Sequence, residues 1–116
     1  MNSKVKRWVD LNLAFHALNK AAEQRLGLSL VQYRLLETLR DMPGCAPNRL
    51  AETVGMHPSS LTQSLKRLNR KQALFVDEDP RDSRKKILSL TRLGRDLMIR
   101  FDQGLDGVLT ELKKPE

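Results

Sequence analysis

The chain has 116 residues, 40% hydrophobic and 30% charged, which suits one folded domain with a modest core and excludes disorder throughout. A net charge of +7 and a pI of about 10.0 favour a polyanionic partner. Cys45 is the only cysteine, and no apolar run resembles a membrane span or a signal peptide, so we expect a cytoplasmic protein with no disulfide and no membrane partner.

The first predicted helix covers residues 4–26. Its apolar residues recur at alternating intervals of three and four, which favours packing against another helix. They are Trp8, Leu11, Phe15, Leu18 and Ala22. Gly27 stands at the usual C-terminal cap position.

Local signals place the next two helices. Ser29 followed by Gln32 is a capping box that opens the second helix, and Met42-Pro-Gly44 ends it. Pro47 suits the first position of a short helix that ends near Val54. A glycine-containing turn then leads into another helix, which is the helix-turn-helix pattern.

The fourth helix and a following hairpin carry the strongest functional pattern. From Pro58 to Lys71, leucines occupy one face, and hydroxyl, amide and cationic side chains occupy the other. Short β-like runs at Ala73–Val76 and Lys86–Leu90 follow, with the charged segment Asp77–Arg84 between them. This layout predicts a winged helix-turn-helix, a mainly α (α+β) fold with a two- to three-stranded wing. Residues 58–90 hold eight cations against four anions, which favours DNA as the partner.

Thr91 is a suitable N-cap for a last helix, whose apolar stripe includes Leu97, Phe101, Leu105 and Val108. The winged unit can cover the stripes of the first and last helices only in part. Pairing with the same helices of a second copy would bury the rest, so we expect a symmetric homodimer. The predicted dimerisation residues are Trp8, Leu11, Phe15, Leu18, Leu97, Phe101, Leu105 and Val108.

Four motifs resemble the MarR (multiple antibiotic resistance regulator) family. They are Leu50-Ala-Glu-Thr-Val-Gly55, Leu61-Thr-Gln-Ser-Leu-Lys-Arg-Leu68, Asp79-Pro-Arg-Asp-Ser-Arg84 and Leu90-Thr-Arg-Leu-Gly94. The resemblance implies a bacterial or archaeal winged-helix regulator, usually a repressor and less often an activator. Such a protein binds a near-palindromic operator in double-stranded DNA as a dimer, and a small phenolic or lipophilic effector often weakens that binding. It would be nucleoid-associated when bound to DNA.

The chain also departs from the family pattern. Gln72 stands where the family usually has glycine, Val76 stands where many members have arginine, and the C-terminal region is short. We divide the single domain, residues 1–116, into a DNA-binding core at 28–90 and dimerisation helices at 1–27 and 91–116.

Candidate DNA-binding residues lie on the fourth helix and the wing. Gln63 is the favoured base reader because glutamine can pair bidentately with adenine. Helix phase turns Lys66, Arg67 and Arg70 towards phosphates, although the family pattern also allows Arg67 to brace the wing through Asp82. The family pattern places Arg84 in the minor groove and gives Asp82 a role in shaping the wing. The predicted set is Ser59, Ser60, Thr62, Gln63, Lys66, Arg67 and Arg70 on the helix, with Arg81, Arg84 and Lys85 on the wing.

Other functions have weaker support. Cys45, His16 and His57 show no metal-ligand spacing, and neither a nucleophile motif nor a phosphate-binding loop is present, so we expect no enzyme, metal or cofactor. An inert thiol is favoured over a redox sensor for Cys45. The alternative is a winged-helix module that binds another protein, but such a module need not keep cations on both helix and wing.

Overall fold

Five helices and one hairpin make up residues 2–113, the part of the chain that this computed structural model describes. The elements are α1 (Ser3–Leu26), α2 (Leu30–Asp41), α3 (Pro47–Val54), α4 (Pro58–Arg70), β1 (Leu74–Asp79), β2 (Asp82–Leu90) and α5 (Arg92–Lys113). The predicted mainly α winged helix-turn-helix is confirmed. Residues 1 and 114–116, which belong to the predicted dimerisation segments, lie outside the described residues.

Capping fixes most helix ends where the sequence predicts them. Ser29 Oγ accepts a hydrogen bond from Gln32 N at 3.0 Å, and Gln32 Oε1 accepts one from Ser29 N at 3.2 Å, which completes the capping box of α2. Gly27 ends α1 with a φ of 86°, a left-handed value that glycine adopts without steric cost. Thr91 Oγ1 accepts from Gly94 N at 2.9 Å and so caps α5.

The wing is longer than the sequence predicts. Asp77–Arg84, expected to separate the strands, lies mostly within them, and only Pro80 and Arg81 form the turn. Asp79 Oδ1 accepts a hydrogen bond from Arg81 N at 2.9 Å and closes that turn. At the other end, Cys45 forms an isolated antiparallel bridge with Leu88. The sheet formed by the described residues therefore has two strands and one additional bridge at its base.

The core lies where α2, α3, α4 and the base of the wing meet α5. Leu35, Leu36, Leu50 and Leu68 are fully buried there, and Phe101 of α5 is 2% exposed. A Cβ atom on Gly94 would lie 2.1 Å from the carbonyl oxygen of Ala73, so only glycine lets α5 start this close to the wing. This contact gives a structural reason for the glycine in the Leu90–Gly94 motif.

Helix α1 extends beyond the rest of the molecule, whose principal extents are 54 × 34 × 21 Å. Every residue from 2 to 17 is exposed, whereas Ala22 and Leu26 are buried in the core. The C-terminal third of α1 therefore anchors the helix, and its N-terminal two thirds project as an arm.

Candidate nucleic-acid interface

Helix α4 lies with its leucine face inward and its polar face outward. Leu61 and Leu68 are buried, and the helix packs on α3 and β1. His57 is the N-cap, because its Nδ1 accepts a hydrogen bond from Ser59 N at 3.2 Å. All the predicted helix residues are exposed, namely Ser59, Ser60, Thr62, Gln63, Lys66, Arg67 and Arg70. The helix thus presents a continuous surface of donors and cations.

Two hydroxyls on this surface are held by local hydrogen bonds. Thr62 Oγ1 donates to Pro58 O at 2.9 Å, and Ser59 Oγ lies 2.7 Å from His57 Nδ1. Gln63 makes no side-chain hydrogen bond within residues 2–113, so both its amide nitrogen and its oxygen are available for a base edge.

The tip of the wing is organised by Asp82 and Arg84. Arg84 donates from Nε to Asp82 Oδ1 at 3.1 Å and from a terminal nitrogen to Oδ2 at 3.2 Å, and its backbone N donates to Oδ1 at 3.0 Å. These side-chain and backbone hydrogen bonds from Arg84 hold the pKa of Asp82 below its ordinary value. The sequence alternative in which Arg67 braces Asp82 is wrong for the described residues, because Arg84 takes that place. Arg81, Arg84 and Lys85 are exposed.

Lys71 is a cation that the structure places against α1 and α2. It is one of the eight cations of residues 58–90, but its Nζ donates to Glu23 Oε2 at 2.7 Å, to Gly27 O at 2.8 Å and to Gln32 Oε1 at 2.7 Å. Glu23 lies 48 positions earlier in the chain, so no local pattern indicates the pair. We call Glu23, Gly27, Gln32 and Lys71 the Lys71 junction.

The carboxylate of the Lys71 junction is stabilised in its charged form. Burial raises the pKa of Glu23, but hydrogen bonds from Lys71 and Gln32 and the charge of Lys71 outweigh burial and lower the pKa below its ordinary value. Glu23 and Lys71 therefore stay paired at neutral pH. The cations left on the outer surface of residues 58–90 are Lys66, Arg67, Arg70, Arg81, Arg84, Lys85 and Lys86, of which Lys86 faces Glu78 at 3.7 Å.

The predicted dimerisation residues fall into two groups. Trp8, Leu11 and Phe15 lie on the projecting arm and are exposed by 72%, 53% and 44%. Phe101 and Val108 are buried in the chain's own core, where Phe101 stacks on Tyr33 with ring centroids 4.4 Å apart, so they offer a second copy little surface. The remaining three, Leu18, Leu97 and Leu105, are half-buried.

An open cleft of about 250 Å³ lies between α1, α2 and α3. Its walls are mostly apolar, with Phe15, Leu30, Val31 and Met56 among them, and Arg34 supplies a cation. Tyr33 lies on the same helix, where its hydroxyl donates to Asp102 Oδ1 at 2.6 Å and its pKa is raised to about 12. Arg34 also pairs with Glu37 at 2.9 Å, so the cleft is a mostly apolar space with one paired cation in its wall.

The described residues contain no group of three His, Cys, Asp or Glu side chains that could hold a metal ion. Cys45 is buried, and burial raises the pKa of its thiol, which makes the reactive thiolate scarcer. In residues 2–113, no helix combines the length and apolar character that a membrane span requires.

Comparison with known proteins gives one family and several similar folds. A sequence model described as the MarR family matches residues 26–85, which is more than half of the chain. No curated protein matches the chain significantly. The PcaV transcriptional regulator from Streptomyces coelicolor, solved with its natural ligand, is 27% identical with a TM-score of 0.64. That match covers 72% of this chain and only 60% of the PcaV chain.

Two similar structures contain DNA. A mutant of MepR from S. aureus bound to an oligodeoxyribonucleotide is 19% identical with a TM-score of 0.68, over 100% of this chain and 87% of that one. A mutant of MarR from E. coli complexed with operator DNA is 19% identical with a TM-score of 0.71, over 95% and 80%. At this level of identity the likeness shows a shared fold.

Proposed function

This chain belongs to the MarR family of DNA-binding transcription regulators, and from that premise we propose that it acts as a homodimeric repressor on a near-palindromic operator. The observation that carries the proposal is the orientation of α4. Leu61 and Leu68 are buried in the core, while the donor-rich face centred on Gln63 is exposed apart from the half-buried Ser64. A helix held this way can enter a major groove without rearranging the domain.

Different residues of α4 contact the bases and the phosphates in this proposal. Gln63, whose amide makes no hydrogen bond to residues 2–113, pairs with a base edge, and Ser59, Ser60 and Thr62 lie beside it in the first turns. Lys66, Arg67 and Arg70 neutralise phosphates and supply affinity that does not depend on sequence. These cations stand in the C-terminal half of the helix, where they follow the backbone beside the groove.

The wing supplies a second contact. Arg84, whose side chain is 88% exposed, enters the minor groove, with Arg81 and Lys85 against the adjacent phosphates. Asp82 keeps the guanidinium oriented before DNA arrives, and the two-residue turn limits how far the tip can bend.

Dimerisation would proceed through the arm of α1. Trp8 and Leu11 form an exposed apolar surface together with the outer part of Phe15, which is 44% exposed and also lines the cleft. Pairing two arms buries it and places two α4 helices one helical turn of DNA apart. An effector in the cleft between α1, α2 and α3 would alter the angle between the arm and the winged core, and so the spacing of the two α4 helices.

One observation favours the alternative, a module that binds a protein. Phe75 and Leu93 are exposed by 57% and 44% and line the same depression at the base of the wing. We rank this function second because it does not account for the exposed cations on both α4 and the wing tip.

The deciding experiment is selection from a pool of random duplex DNA, followed by sequencing, at two salt concentrations. We expect an inverted repeat whose half-sites are about 10 base pairs apart from centre to centre. Weak binding that falls steeply with salt and selects no motif would reject the regulator and favour the protein-binding module.

A further inference from the structure

Within the described part of the chain, the hydrogen bonds that join the C-terminal end of α4 to α1 and α2 are those of the Lys71 junction. Lys71 is the C-cap of α4, and its three ammonium donors meet a carboxylate, a backbone carbonyl and a side-chain amide at 2.7–2.8 Å. Its side chain is only 27% exposed, and Glu23 is 31% exposed. With every donor satisfied, Lys71 has none left for a phosphate.

The three acceptors lie at two helix ends, Glu23 and Gly27 at the end of α1 and Gln32 at the start of α2. Gly27 is the C-cap of α1, so its carbonyl lies at the negative end of that helix dipole. Gln32 belongs to the capping box of α2 and also donates from Nε2 to Glu23 Oε2 at 2.9 Å. The end of α1, the start of α2 and the end of α4 therefore share one hydrogen-bond network.

Other contacts constrain α4 less with respect to α1. The helix packs on α3 and β1, and it makes few close backbone approaches to α1 or α2 within residues 2–113. Leu68 is buried in the core, but apolar burial is non-directional and tolerates small rotations. Three hydrogen bonds to one nitrogen tolerate much less.

We propose that Lys71 is a positioning residue for DNA recognition, which holds α4 at a fixed angle to α1. This inference rests on the proposed function, in which α1 joins two subunits and α4 reads each half-site. A change in the angle between α1 and α4 displaces one reading helix with respect to the other. Lys71 thereby sets the half-site spacing that the dimer accepts, without touching DNA itself.

Lys71→Met tests the proposal because methionine keeps an aliphatic stem of similar length and removes every donor. We expect affinity for the selected operator to fall about tenfold, the size typical of removing one partner from a partly buried charged network. Affinity for random duplex and the slope of affinity against salt should stay unchanged. The penalty for inserting or deleting one base pair between the half-sites should shrink.

Two further variants control the experiment. Lys71→Arg keeps a cation with several donors and should retain most of the wild-type spacing preference. Lys66→Met removes an exposed cation of α4 and should weaken operator and random DNA in parallel, with a shallower salt slope. If Lys71→Met behaves like Lys66→Met, Lys71 is a phosphate contact and the proposal is wrong. It is equally wrong if Lys71→Met lowers only thermal stability and leaves the spacing preference intact.

A measurement without DNA separates this proposal from the proposed function. Residual dipolar couplings of backbone amides give the orientation of α4 relative to α1 in the free protein. We expect the couplings of α4 in Lys71→Met to disagree with the alignment tensor fitted to α1, which would show that α4 has rotated relative to α1. The couplings of α4 in Lys71→Arg should still agree with that tensor. An unchanged orientation would overturn the role of Lys71 even if DNA binding holds. A wild-type protein that selects no operator would overturn the proposed function alone, since the couplings still decide on Lys71.

Discussion

Gln72 carries a backbone conformation that its side chain disfavours. Among the described residues it is the only non-glycine residue with positive φ, at 60°. Its N–H bonds to Asn69 O at 3.0 Å, and Ala73 N bonds to Leu68 O at 3.0 Å, which is the Schellman arrangement that ends α4. The departure noted in the sequence, glutamine in place of the family's usual glycine, is thus a site of local strain.

Gln72→Gly should stabilise the protein. The left-handed conformation costs a residue with a Cβ about 1–2 kcal/mol of folding free energy. Glycine avoids that cost, but its larger backbone entropy in the unfolded chain costs about 0.5–1 kcal/mol, so the expected net gain in stability is about 0.5–1 kcal/mol. Urea denaturation measures it. Gln72→Ala is the matched control, because alanine keeps the Cβ and should bring no gain. Equal stability of the two variants would contradict strain at this position.

At the scale of single elements, the wing and α4 should make separable contributions to DNA binding. Arg84→Ala removes the exposed guanidinium from the wing tip and should weaken operator and random DNA alike, while lowering the salt slope by about one. Gln63→Ala should leave the salt slope unchanged and reduce the preference among operator variants at one base position. Fluorescence anisotropy titrations at several salt concentrations measure both effects.

Asp82 requires its own control, because Arg84→Ala also leaves its carboxylate unpaired beside the DNA. Asp82→Asn keeps an oxygen that accepts from the backbone of Arg84 and removes the negative charge. We expect it to bind DNA at least as tightly as the wild type. Weaker binding by Asp82→Asn would show that orienting Arg84 matters more than the lost negative charge. Unchanged operator affinity in both Arg84→Ala and Gln63→Ala would remove the assignment of these reading elements.

The elements also show which parts of the structure the sequence could predict. Helix ends marked by Ser29, Pro47 and Thr91 were placed correctly because capping depends on neighbours within a few residues. The predicted wing strands are too short because Asp77–Arg84 has the composition of a polar loop. Hydrogen bonds between the two strands, which the sequence does not show, extend both strands into this segment. The Lys71 junction escaped prediction for a related reason, since its partners lie 39–48 positions away.

The whole molecule is extended, because one helix projects from an otherwise compact core. Its radius of gyration is 16.2 Å, whereas a compact chain of this length has about 13 Å, and the arm of α1 accounts for the extension. The sequence predicted an apolar seam along this helix. It could not show that Phe101 and Val108 are already buried within one chain, because that depends on how α5 packs.

Leu11→Lys should convert the proposed dimer into a folded monomer. The charge is placed in the middle of the arm, where burial against a second copy would cost several kcal/mol, while Ala22 and Leu26 still anchor the helix. Sedimentation equilibrium measures the mass, and operator affinity should fall by about 100-fold or more because one half-site is lost. Leu13→Lys makes the same substitution about 160° around the helix from Leu11, at a side chain that is 63% exposed, and serves as the control. A dimeric Leu11→Lys protein would contradict pairing through this face.

The position of the arm in the chain has a consequence for biosynthesis. Helix α1 leaves the ribosome before the rest of the described residues, and at about 5–20 residues per second the residues from Gly27 to Lys113 follow over roughly 4–17 seconds. During that interval Ala22 and Leu26 lack the core that anchors α1, and Trp8, Leu11 and Phe15 lack the proposed second copy. Neighbouring nascent chains on one messenger would hold such arms at high local concentration. Pairing on the polysome would then shield them before they meet chaperones or aggregate.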